Sequence, residues 1–207
     1  VVKTKHGQVR VDKVVIAGNA YHLLEQKKLG GVLFPAGTYI IATERLDDEV
    51  AKEIMPKDIA ICDVNEILDY YRLSADKRLL FGGQCTYSGR DPKSIKDSML
   101  SFMLKTFPQL KDVRIDYEWG GMIGVVINRT PHVGRINDNV YYAEGYSGHG
   151  VNSTHIVSEI LSDAITGQME RFDFFAKAKQ TKLPVPKWAG HQMVALGMLY
   201  YRIKDLF

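Results

Sequence analysis

The sequence predicts two kinds of structure: an α/β portion and an antiparallel α+β portion. Four stretches carry that prediction. VVIAGN (14–19) is a run of branched apolar residues that stops at glycine, as a buried parallel strand does where it meets a loop at its carboxyl end. GTYIIATERL and LDYYRLSADKRLLFGGQC, between residues 37 and 85, alternate or pair around a turn as antiparallel strands do. YYAEGYSGHGVNSTH (141–155) joins an aromatic apolar strand to a helical pattern through Gly145, Gly148 and Gly150.

Taken in order, VRVDK is expected to form a polar-edged strand. Val14–Ala17 is expected to form a buried strand, with Gly18-Asn19 as the turn after it. GTYIIATERL is then one strand, and Leu68–Cys85 makes two strands around Ser74-Ala75-Asp76. A helix is expected from Asp91-Pro92 to about Phe107. Asp91 is the cap, Pro92 occupies the first turn, and Ile95, Met99, Phe102 and Met103 form the apolar stripe. Pro108 ends it, and VRIDYEWGGMIGVVI returns to strand. Asn137-Asp138-Asn139 reads as a turn, Val140–Ala143 as a buried strand, and Val151–Gly167 as a helix. Its buried face is expected to be Ile156, Ile160, Leu161, Ala164 and Ile165, with Gly167 as the stop. After a Lys- and Pro-containing stretch, an amphipathic helix is expected from about His191.

Composition narrows the functional classes. Forty-five per cent of the 207 residues are hydrophobic and the formal charge is only +3. Lys and Arg are spread along the chain, which gives no basic footprint for nucleic acid. No window of about 18 uninterrupted apolar residues occurs, so no transmembrane helix is expected. Cys62 and Cys85 form no CxxC pair, which suits a reducing cytoplasm. His149 and His155 stand six apart, on different helix faces, and no HExxH occurs, so no metal site is expected.

The glycine cluster is the chemically informative element. The first N–H groups of a helix lack intrahelical partners, and the helix dipole places partial positive charge there. Such a start reads anions and dipoles, and glycines let a flat ligand approach the backbone. GYSGHG lacks the Lys-Ser/Thr of a phosphate loop. It also brings Gly148 one position too early for a GxSxG nucleophile elbow. Ser147 is available to cap the helix or donate a hydrogen bond.

VVIAGNAY, WGG with NRTPHVGR, and DNVYYAEGYSGHGVNSTH together resemble the C-terminal half of the glycine oxidase/D-amino-acid oxidase class of FAD-dependent oxidoreductases. GTYIIATERL, LDYYRLSADKRLLFGG, GRDP, FPQLKDVRIDY and GQMERFDFFA extend the likeness over nearly the whole chain. The resemblance implies a partial FAD-binding dinucleotide fold over 1–36 and 126–175. It further implies an antiparallel substrate-binding sheet domain over 37–125 and a tail with a helix over 176–207. No GxGxxG occurs in the 207 residues, so the segment that grips the ADP half of FAD is expected to be missing from them. The expected whole is a cytoplasmic enzyme that oxidises the C–N bond of a small-molecule amine to an imine, with this chain as its C-terminal portion, inactive alone; the alternatives are a glycine- or sarcosine-type amino acid oxidase and a non-catalytic chain that no longer binds FAD.

By the same resemblance, Ala17, Gly18, Gly120, Gly145, Tyr146, Ser147, Gly148, His149, Gly150 and Val151 are the cofactor-binding candidates. Trp119, Arg129, Tyr71 and Tyr87 are the substrate-binding candidates. Arg129 is positioned to bind a substrate carboxylate, ahead of Arg135, while Tyr70 and Arg90 are further cavity candidates. No residue is singled out as the catalyst; His149, Arg129 and Trp119 are the candidates. His149 is read as a turn and cofactor contact rather than a base, because hydride transfer from an amine depends mainly on geometry.

Overall fold

A computed structural model describes residues 1–22, 24, 28–65, 67–86 and 91–183, with single positions at 192, 195, 196 and 200. In chain order the elements are β1 (Val2–Thr4), β2 (Gly7–Val9), β3 (Val14–Ile16), a 3-10 turn (Asn19–Tyr21), β4 (Leu33–Thr43), α1 (Asp48–Ile54), β5 (Ile61–Cys62), β6 (Tyr70–Leu73) and β7 (Leu79–Thr86). They continue with α2 (Ile95–Thr106), a second 3-10 turn (Pro108–Leu110), β8 (Ile115–Val126), β9 (His132–Asn137), β10 (Val140–Glu144), α3 (Gly150–Ile165) and α4 (Glu170–Ala176). Two compact units divide the chain. The first takes Val1–Pro35 and Ile123–Gly190, and the second takes Ala36–Met122 and His191–Phe207. Apart from those single positions, the helix expected from His191 lies outside the described residues. No described helix is long and apolar enough to cross a membrane.

The first unit is built on a three-stranded sheet in the order β3-β10-β9. β3 runs parallel to β10, with Val14 opposite Val140 and Ile16 opposite Tyr142. β9 and β10 form a hairpin around Asn137–Asn139, where the Asn139 amide donates to Asn137 Oδ1 at 3.2 Å. β3 is an outer strand of this sheet, so Val15 is 42 % exposed and the strand is not the fully buried one that its branched residues predict. Against the sheet, α3 buries Val157, Ile160, Leu161 and Ala164 with Val133, Tyr141, Ala143 and Phe172. Ile156, expected on that face, is 55 % exposed. The i, i+3, i+4, i+7 set begins one residue later, and Val157 takes its place. Gly167, at φ +106°, closes the helix. Arg171 then pairs with Glu159 at 2.6 Å and Asp163 at 3.3 Å, fastening the short α4 to α3.

The second unit carries a five-stranded antiparallel sheet in the order β5-β6-β7-β4-β8. Ile61, Tyr71, Phe81 and Ile41 stand opposite one another across four strands. Their row packs with Leu79, Met99, Met103, Phe107 and Leu110 into the core beneath α2. The cap of α2 is Ser94, whose Oγ accepts from the Asp97 amide at 3.1 Å. Asp91, the expected cap, instead accepts from Tyr39 Oη at 3.1 Å, and the helix starts after Pro92.

Asp69 lies next to β6, with its carboxylate half-buried near Asp63. Burial first, and the Asp63 charge second, push its pKa from 3.8 up to about 6, while Lys105 pulls it back. A carboxyl raised in the folded state costs stability as the pH climbs from its unfolded value through its folded one, and the cost is complete above that. Asp69→Asn is therefore expected to stabilise the second unit at pH 8 by about 1 kcal/mol, after allowing for solvent screening. It is expected to change nothing near the acid end of that window. Urea midpoints at both pH values check this, and an equal effect at both would contradict it.

Candidate functional site

The strand–turn–helix at 144–151 shows why the chain places glycine there. β10 ends at Glu144, and the backbone then passes through left-handed Gly145 (φ +75°), Ser147 (φ +52°) and Gly148 (φ +91°) before α3 starts at Gly150. Gly145 is also held against β8: a Cβ there would lie 2.3 Å from Val126 Cγ1. Ser147 is buried and tied to the same strand. Its amide donates to the Gly124 carbonyl at 2.8 Å, and its Oγ accepts from the Val126 amide at 3.2 Å. Of the two roles open to it, Ser147 does not cap α3; its hydroxyl donates to the Gly145 carbonyl at 3.4 Å. His149 occupies the cap position, with no side-chain bond to the helix.

The outer side of the turn is open. A Cβ on Gly148 would meet only Ile123 Cδ1, at 3.9 Å, and one on Gly150 would find nothing closer than 3.7 Å. Gly148, His149 and Val151 are exposed. The first amides of the sixteen-residue α3 therefore stand beside clear backbone, with the positive end of the helix behind them. These residues fit the electron-rich edge of a flat ring. Of the three glycines, Gly148 and Gly150 give that clearance, whereas Gly145 serves close packing inside the unit.

Directly before the turn lies a network that no sequence motif announces. Glu144 is 1 % exposed. His22 Nε2 lies 2.6 Å from its Oε2, and His132 Nδ1 lies 3.0 Å from its Oε1. Tyr142 Oη is 3.1 Å from His132 Nε2. Burial first, and the Glu144 charge second, push the Tyr142 phenol up; burial does the same to Tyr146. Asn19, left-handed at φ +45°, accepts through Oδ1 from the Gly145 amide at 2.9 Å. The available sequence signal was a lone carboxylate inside the apolar run YYAEG; its partners lie 122 and 12 residues away.

The other candidates divide between the units. Ala17 and Gly18 follow β3, so they lie in the first unit with Gly145–Val151, at the carboxyl ends of the parallel pair β3 and β10. Open α/β sheets bind ligands at that end. Arg129 is in the same unit but in the turn between β8 and β9, exposed, at φ +59°. Arg135 pairs with Asp138 at 3.7 Å. Trp119, Gly120, Tyr70 and Tyr71 belong to the second unit. Trp119 is 44 % exposed. Gly120 is pressed against a tyrosine, since a Cβ there would lie 2.6 Å from Tyr39 Cδ1. Tyr71 is partly buried and packs against the core of the second unit: its ring stacks on Phe81 at 5.6 Å and meets Phe107 edge-on at 5.0 Å. Tyr70 points to the other sheet face, where its Oη lies 3.0 Å from Thr38 Oγ1. Tyr87 and Arg90 lie outside the described residues.

Comparison with known proteins places this geometry. The chain is 42 % identical over 208 residues to gamma-glutamylputrescine oxidoreductase of Escherichia coli (strain K12), covering 99 % of the chain and 48 % of that protein. It is 40 % identical over 215 residues to the probable oxidoreductase OrdL of Haemophilus influenzae, covering all of the chain and 48 % of the relative. The chain thus spans about half the length of the curated relatives it matches. Among solved structures, glycine oxidase from Bacillus cereus ATCC 14579 superposes with a TM-score of 0.64 at 17 % identity, over 88 % of this chain and 49 % of that one. The fold is shared at that distance. The family model for FAD dependent oxidoreductases (DAO) matches residues 1–164, a span that includes β3, the whole five-stranded sheet and the glycine turn into α3, and the chain belongs to that family.

Proposed function

We propose that the chain forms the C-terminal half of an FAD-dependent amine oxidoreductase that oxidises a C–N bond to an imine, with gamma-glutamylputrescine as substrate. The single observation that carries the substrate is the 42 % identity to gamma-glutamylputrescine oxidoreductase along 99 % of the chain. Bound FAD supplies the two-electron acceptor for the C–H beside the amine nitrogen. In this reading Ala17, Gly18 and Gly145–Val151 hold the flavin end. The helix-start amides of α3 stabilise negative charge there by about 1 kcal/mol or more in partly buried geometry. His149 is a cofactor contact at the cap of α3. Gly120 lies on the strand beside the cofactor. Trp119 walls the substrate site, and Arg129 takes a substrate carboxylate by a bidentate ion pair. Tyr87 is retained as a substrate contact from the sequence alone. The ADP half of FAD is gripped by polypeptide outside these 207 residues, and the enzyme works in the cytoplasm.

The test is anaerobic reduction of the full-length enzyme. Gamma-glutamylputrescine is expected to bleach the flavin absorbance and release an aldehyde after water opens the imine, while glycine and sarcosine leave it oxidised. Bleaching by glycine or sarcosine alone would replace the substrate assignment. A full-length protein with no flavin absorbance would remove the enzyme reading.

A further inference from the structure

We propose that Glu144, His22 and His132 form a buried hydrogen-bonded clamp that positions the glycine turn of the candidate cofactor site. What the turn binds rests on the flavin reading above; the clamp does not.

Each Glu144 oxygen faces one imidazole nitrogen, His22 Nε2 at 2.6 Å and His132 Nδ1 at 3.0 Å. The opposite nitrogens are already engaged. The Leu24 amide donates to His22 Nδ1 at 3.3 Å, so that nitrogen presents a lone pair and the ring proton faces Glu144. Tyr142 Oη lies 3.1 Å from His132 Nε2, where a hydroxyl can donate or accept. Both oxygens of the buried Glu144 thus have a partner, as a buried polar group requires.

The placement gives this junction its task. Glu144 immediately precedes Gly145, His22 ends the segment that follows β3, and His132 opens β9. One carboxylate thus fastens three stretches of chain at the residue before the turn. The same segment after β3 is fastened a second time, by Asn19 Oδ1 to the Gly145 amide. Asn19 and Ser147 are both non-glycine residues in the left-handed region, and they stand on either side of this junction. Such backbone persists only where its surroundings over-determine it. The clamp does so, and it holds Ala17 and Gly18 at a fixed spacing from Gly145–Val151 before any ligand arrives.

Amide hydrogen exchange and imidazole 15N spectra of the full-length enzyme test the proposal. The spectra are expected to show His22 with its proton on Nε2 and a lone pair on Nδ1; a bare Nε2 on His22 would overturn it. Glu144→Leu keeps much of the volume but accepts from neither imidazole. It is expected to speed exchange at Gly145, Ser147 and His149 about tenfold, as the loss of a hydrogen bond implies, with β4 and β7 as unchanged controls. His22→Ala is expected to do the same. His22→Gln, whose amide restores the donor, is expected to return exchange to within about threefold of the parent. Unchanged turn exchange in Glu144→Leu, or no rescue by His22→Gln, would overturn the clamp. FAD titration of the unsubstituted full-length enzyme is the separate arm. No uptake there, with the clamp spectra intact, would sink the flavin reading alone.

Discussion

Gly145→Ala is expected to destabilise the first unit by about 3 kcal/mol, the sum of a left-handed backbone and an occupied Cβ site. An L-residue in the left-handed region costs roughly 1–2 kcal/mol, and forcing a methyl into a filled position costs roughly 1–3 kcal/mol. Both apply, because φ is +75° and the added carbon would stand 2.3 Å from Val126 Cγ1. Val126 cannot yield freely: it is fully buried, and its amide is bonded to Ser147 Oγ. The pairing can be separated by a double-mutant cycle. Val126→Ala alone loses buried methyl groups, but in the Gly145→Ala background it also removes the clash. The double variant is expected to be about 1–2 kcal/mol more stable than the two single effects predict. Urea midpoints followed by a first-unit probe supply the numbers. A Gly145→Ala variant within about 0.5 kcal/mol of the parent would mean that the turn does not hold this conformation.

Sequence alone reached as far as local pattern reaches. The β6–β7 hairpin around Ser74–Asp76, the strand 140–144 and the stop at Gly167 depend on neighbours in the chain, and alternation or glycine reveals them. Where two residues competed for one role, a distant partner decided. Asp91 and Ser94 are both good caps, and the hydroxyl of Tyr39, 52 residues away, claims Asp91. Val157 and Ile156 are both apolar, and the phase of α3 against Val133 and Phe172 chose between them. α4 escaped notice because a seven-residue helix has little periodicity of its own; Phe172 and the Arg171 bridges hold it from outside. The same limit applies to the site. Its glycines are legible as a break in an apolar run, but the His22–Glu144–His132 junction is not. Hydrogen bonding across 122 residues leaves no spacing to read.

The aromatic strand LDYYRL tests that limit most directly, because adjacent tyrosines there have opposite roles. Phe81 is fully buried and lies 5.6 Å from the Tyr71 ring and 6.5 Å from that of Phe107. Phe81→Ala is therefore expected to cost the second unit about 3–5 kcal/mol, the usual range for emptying a ring-sized space in a packed core. Tyr71→Phe keeps the ring in both contacts and removes only the hydroxyl, so its expected cost is within about 0.5 kcal/mol. A residue packed against the core in this way also leaves KM untouched. Tyr70 faces the other way, across Gly82 and Ile40, and Tyr70→Phe breaks its bond to Thr38. That loss is expected to cost about 1 kcal/mol. If the open face of the sheet meets substrate, KM of the full-length enzyme rises with Tyr70→Phe and stays constant with Tyr71→Phe. The reverse pattern would return Tyr71 to the cavity and contradict its stacking on Phe81.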